Sequence, residues 1–146
     1  MFKFLLILTL AIASANAFWT PCTSGPAPTS VTSPSCSGTS CTITRGEILR
    51  ATFVFPANVA ASSLDVIIRA YAAIGGDPIQ LPVTPPHDNA CSSISPSCPT
   101  SVGTSYTWNI DFEVPTDIPA INGFFTFSLT SGTTIVTCAN ATASLH

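Results

Sequence analysis

Basic side chains are nearly missing from this 146-residue chain: it has Lys3, Arg45, Arg50 and Arg69, and no other lysine or arginine. Binding to a nucleic-acid backbone depends on Lys and Arg neutralising phosphates, so that function class is excluded. The same poverty removes electrostatic attachment to anionic bilayers, where each basic residue near the surface contributes about 1 kcal/mol. Histidine is almost as scarce, with only His87 in a Pro-rich stretch and His146 at the last position. A Ser-His-Asp site needs a base oriented by a third group, and Asp88 directly beside His87 does not make that pattern. Asp111 and Glu113 fall two apart on one strand face, which is the solvated one. No enzyme is expected. Glycine-rich phosphate loops, calcium-binding loops, paired C-x-x-C zinc motifs, helical periodicity and internal repeats are all absent. Neither a metal nor a cofactor is therefore expected.

What is present begins with an export signal. Lys3 precedes an apolar run from Phe4 to Ala13, and Ala15-Asn16-Ala17 supplies a small-x-small cleavage site. The run is short of the roughly 20 apolar residues that span a bilayer. Residues 1–17 are thus expected to be a signal peptide, and residues 18–146 a single secreted domain. That domain carries three arginines against seven carboxylates, a net charge of −4.

Export makes the six cysteines readable as disulfides. Six allow 15 pairings. Separation along the chain favours Cys36–Cys41 and Cys91–Cys98, which leaves Cys22–Cys138. In the chain-entropy picture the long bridge contributes about 5 kcal/mol and each short one about 2 to 2.5.

The chain between them alternates with period two. Leu49, Ala51, Phe53 and Phe55 share one face of a strand over 47–55, and Leu64, Val66, Ile68 and Ala70 share one over 64–70. Over 106–113, Tyr106, Trp108, Ile110 and Phe112 face inward while Thr107, Asn109, Asp111 and Glu113 face water. Further strands are expected over 121–129 and 133–138. Phe124 breaks the inward phase of its strand, so it is a candidate exposed aromatic at a cavity mouth. Residues 18–40 read as an extended arm with loops. Nine prolines from Pro56 to Pro119 lie between the strands, where a residue without an N–H belongs. The fold class is all-β, a two-sheet antiparallel sandwich.

These residues resemble the ML family of lipid-recognition domains, and its Niemann–Pick type C2 branch of lipid and sterol carriers most closely. The resemblance rests on Ser33-Pro34-Ser35-Cys36, on Cys41-Thr42-Ile43-Thr44-Arg45-Gly46, and on the strand ending Phe53-Val54-Phe55. It continues through the Pro-rich run before Cys91, Cys98-Pro99, the Gly103-to-Tyr106 approach and the turn holding Pro119. It implies the same three disulfides and an immunoglobulin-like sandwich whose sheets splay around an apolar cavity. It further implies a lipid-binding set of Ile79, Leu81, Val114, Ile118 and Pro119, with Phe127 deeper. Leu81 and Ile118 stand where the sterol-binding pattern has Phe and Tyr, so the pocket stays apolar but loses aromatic walls.

The implied function is to hold a sterol, fatty acid or phospholipid tail and hand it to a membrane surface or a lipid-accepting receptor. Such a carrier would act as a monomer, in the extracellular space or the endolysosomal lumen. The alternative is an immune-recognition or chemical-signal module that presents a lipid to a receptor. A version reading anionic lipid A would need a basic rim, which three arginines do not provide. Asn140-Ala141-Thr142, placed just after the expected last strand, is a glycosylation acceptor pattern.

Overall fold

A computed structural model describes residues 18–146; the expected signal peptide lies outside the described residues. Among the described residues eleven strands follow one another: β1 Trp19–Pro21, β2 Ser30–Thr32, β3 Cys36–Ser37, β4 Ser40–Ile43, β5 Ile48–Pro56, β6 Asp65–Ala72, β7 Ile79–Leu81, β8 Ile94–Ser95, β9 Ser105–Glu113, β10 Ile121–Ser131 and β11 Thr134–Leu145. One 3-10 turn, Ala90–Ser92, is the sole helical piece among the described residues.

The strands form two sheets. Seven lie in the order β3-β4-β11-β10-β6-β7, with β1 also on β11, and four in the order β2-β5-β9-β8. One edge of β11 is shared in succession: β1 covers Ala139 to Ala141 and β4 covers Ala143 to Leu145. The β4–β11 pair is parallel, and the remaining pairs are antiparallel. All three expected disulfides form, at Cys22–Cys138, Cys36–Cys41 and Cys91–Cys98.

The alternating strands bury the faces their sequences assign. Leu49, Ala51, Phe53 and Phe55 are buried against Val66, Ile68, Phe125, Phe127 and Leu129 of the opposite sheet's inner face. Phe53 joins the two layers: its ring lies 4.8 Å from Trp108 beside it and 5.6 Å from Phe127 across the core. Offset aromatic contacts of this kind add about 0.5–1.5 kcal/mol beyond their buried area.

Two strand expectations change. The last strand does not stop at Cys138 but runs to Leu145. Ala139, Ala141, Ala143 and Leu145 are buried while Asn140, Thr142 and Ser144 are not, so the period-two pattern persists, carried by alanines. The presumed N-terminal arm holds three short strands, each made by pairing with a longer neighbour. Asn140 accordingly sits inside β11 rather than after it.

Gly123 fixes how closely β10 meets β6. A Cβ there would collide with the Tyr71 carbonyl oxygen and the Ala73 backbone nitrogen. This close approach lets Ala73 N–H donate to Asn122 O at 2.8 Å.

Candidate functional site

The loops at one end of the sandwich are tied together by backbone bonds. Gly46 N–H donates to Val114 O at 2.8 Å, and Val114 N–H donates to Glu47 O at 2.9 Å. The β4–β5 turn is thus stitched to the β9–β10 linker, which crosses from one sheet to the other. Arg45 adds a side-chain hook: its Nη1 donates to Ile118 O at 3.0 Å. A guanidinium donor makes a stronger bond than a neutral one, so Arg45 holds the linker over the end of the core.

Beside this linker runs the Pro-rich crossover after β7. Asn89 anchors its far end, where Oδ1 accepts from Leu64 N–H and Cys91 N–H, both at 3.1 Å. Between crossover and linker opens a concavity of about 700 Å³, with Val83, Pro85, Phe112, Val114 and Ile48 among its walls. Its rim carries His87, Asp111, Glu113 and Asp117. Asp111 is paired with Arg50 at 3.3 Å on the outer sheet face, and both side chains are well exposed.

A second space lies between the sheets beside β1, β2 and β5. Phe18 and Trp19 at the N-terminal strand, Leu49 and Phe53 of β5, and Phe127, Ala139 and Ala141 of the larger sheet enclose it. Every lining residue but Ser33 is apolar, and the enclosed volume is about 20 Å³. That is room for about one water, far less than a lipid tail.

The implied site residues divide between these places. Ile79 and Leu81 lie on the edge strand β7, paired with Ala70 and Ile68; Leu81 is buried and Ile79 half-buried. Val114 is buried and lines the open concavity. Ile118 is buried beneath the linker, whereas Pro119 is exposed. Phe127 lines the closed crevice. Leu81, Ile68 and Phe127 are register partners in one buried row across β7, β6 and β10; Phe127 lines the crevice, while Leu81 lines neither space and adjoins Pro82 and Val83 of the concavity.

Several wall residues were not singled out from sequence. Trp19, Val31, Leu49, Ala51, Ala139 and Ala141 all line the crevice. The available signal was the alternation of small residues through Ala139, Ala141 and Ala143, which keeps that inner face short. Thr137 is the next inward side chain along β11; it is buried, and its Oγ1 has no hydrogen-bond partner among the described residues. Phe124 is not at a cavity mouth. It lies on the outer face of the seven-stranded sheet, stacked 4.7 Å from Tyr71.

A family model described as ML domain matches residues 16–145. The chain belongs to the ML domain family. ML domains bind lipid and are not enzymes, and those like Niemann–Pick type C2 are secreted or lie in the lysosomal lumen. Among solved structures, this ML domain is similar to a Niemann-Pick type C2 protein from Japanese carpenter ant, with a TM-score of 0.72 at 16% identity. The match covers 88% of this chain and 98% of that one, and at that identity it is a likeness of fold. No curated protein matches the sequence. Among the described residues, no helix is long and apolar enough to cross a membrane, and no group of His, Cys, Asp and Glu is placed to hold a metal.

Proposed function

We propose that this ML domain, freed of residues 1–17 by secretion, carries a lipid whose hydrocarbon lies between its two sheets. The observation that carries the reading is the inter-sheet lining itself, apolar from Trp19 through Phe53 to Ala141. Burying hydrocarbon there yields about 0.8 kcal/mol per CH₂. Ten methylenes supply roughly 8 kcal/mol, which exceeds the lower estimates of association cost. No charged contact is required, in keeping with so few basic residues.

The closed crevice must widen to admit such a ligand, and the proposed entry follows the row from Leu81, next to the concavity's Pro82 and Val83, to Phe127. A tail enters through the concavity between the Pro-rich crossover and the linker. It then passes along that row and parts the side chains over the short alanine face. The concavity's rim favours ligands with an uncharged polar end, because Glu113 and Asp117 would repel a carboxylate or phosphate there. A sterol or a neutral lipid fits this rim better than a free fatty acid. Handing the lipid to a membrane or receptor would take place at the same end.

Ile118 tests the route. Ile118→Asp places a carboxylate beneath the linker, where an unpaired charge is strongly disfavoured. The variant is expected to retain its three disulfides and cooperative unfolding but to lose binding of a fluorescent sterol. Wild-type affinity in the folded variant would remove Ile118 and the entry route from the account.

A further inference from the structure

The outer face of the seven-stranded sheet holds a groove that the lipid site does not use. Its side chains form a grid set by strand register. One row runs Arg69, Thr126, Asn140 and Thr20, and the next runs Tyr71, Phe124 and Thr142. The groove measures about 450 Å³, with Arg69, Tyr71, Phe124, Thr126 and Asn140 in its walls. The Tyr71 and Phe124 rings stack at 4.7 Å and 6°, half-exposed. Two stacked aromatics on a solvent-facing sheet leave apolar area in water that a cover would remove.

We infer that Asn140 bears an N-linked glycan whose first sugars lie in this groove, over Phe124 and Tyr71. Asn140 and Thr142 form the acceptor pattern, and strand alternation puts both on the outer face, side by side. Asn140 Oδ1 accepts from Thr126 Oγ1 at 2.8 Å. This bond orients the amide and leaves Nδ2, the atom that is glycosylated, without a protein partner among the described residues. Phe124 is register partner of Thr142 and so diagonal neighbour to Asn140, within reach of the first sugars. A pyranose presents one face of C–H groups, which suits an aromatic ring, and hydroxyls at its edge. Arg69 can donate to those hydroxyls, since the one ion pair found among the described residues is Arg50–Asp111.

Attachment occurs on the nascent chain. Nδ2 bonds to the anomeric carbon of a lipid-pyrophosphate-linked oligosaccharide, the anomeric C–O bond breaks, the lipid pyrophosphate leaves, and the transferase takes the amide proton. The occupant is the chain's own glycan because the acceptor forms part of the groove wall. A bulky, solvated sugar there would keep membranes and partners off this face and leave the linker end for exchange.

The test uses chain secreted from insect cells. Denatured protein should lose the mass of one glycan on treatment with peptide N-glycosidase, and Thr142→Ala, which leaves the Asn140–Thr126 bond in place, should show no such loss. Native removal of the glycan should lower the melting temperature by roughly 3 °C, and this drop should vanish in Phe124→Thr. No glycan mass on the wild type overturns the modification. A glycan whose removal leaves the melting temperature unchanged, or lowers it equally in Phe124→Thr, overturns its seat on the aromatic pair.

Discussion

Replacing Cys22 and Cys138 together by serine is expected to cost about 5 kcal/mol of stability. The bridge closes a loop of 116 residues, and in the chain-entropy model its contribution grows with the logarithm of that length. Native domains are stable by only about 5–15 kcal/mol, so the loss takes a third or more of the total. The local consequence is as specific as the global one. Cys22 follows β1 directly, and its N–H donates to Cys138 O at 3.4 Å. Without the covalent tie, a three-residue strand must hold to β11 by its own ladder bonds. Phe18 and Trp19, one wall of the crevice, would then be the first part of the site to loosen. The expected result is a large fall in secreted yield, with a guanidinium midpoint well below that of the wild type for whatever protein emerges. Opening Cys36–Cys41 or Cys91–Cys98 should cost about 2–2.5 kcal/mol each, because these bridges close spans of 5 and 7 residues. A double variant lacking the long bridge that unfolds within about 1 kcal/mol of wild type would contradict this ranking.

Filling the crevice should have the largest effect on ligand binding. Ala141 lies on the inner face of β11 and lines the enclosed space. Ala141→Phe puts a ring where hydrocarbon is proposed to go. If the ring displaces about four methylenes, the lost burial is about 3 kcal/mol, or on the order of 100-fold in affinity. Overpacking should also cost about 1–3 kcal/mol of stability, which a domain stapled by three disulfides can bear. Thermal unfolding shows whether the variant is folded, and titration with a fluorescent sterol reads its affinity. A folded Ala141→Phe protein with wild-type affinity would place the ligand outside the crevice. The Ile118 and Ala141 variants probe opposite ends of one route, so losing binding in one alone would show which end the ligand occupies.

The parts of the fold that were legible in the sequence are those where a single strand carries its own signal. Leu49 to Phe55 and Tyr106 to Phe112 alternate large apolar and polar side chains, and both appear as strands within a residue or two of the expected ends. The continuation of β11 was missed because alanine is depleted in strands and contributes little apolar area. Ala139, Ala141 and Ala143 read as strand only once β10 is seen on one side and β1 and β4 on the other. The short strands β1, β2 and β3 owe their existence to partners distant in sequence, which local periodicity does not register.

The site divides on the same physical line. Val114 and Phe127 entered the candidate set through the family resemblance, and they line the open concavity and the crevice respectively. Trp19, Val31 and Ala139 line the crevice through register between strands far apart in the chain. Phe124 departed visibly from the inward phase of its strand. That departure correctly marked an outward aromatic, but only sheet pairing with Tyr71 revealed that it faces the outer groove.

The central claim is that hydrocarbon occupies the space between the sheets. Native mass spectrometry of the protein secreted from a eukaryotic host, followed by lipid extraction, tests it most directly. The account predicts a population carrying one sterol or other uncharged lipid per chain, with the bound species absent from Ala141→Phe. A ligand-free mass that persists after incubation with sterols, fatty acids and phospholipids would contradict it, leaving a packed domain whose apolar interior serves only to hold the fold.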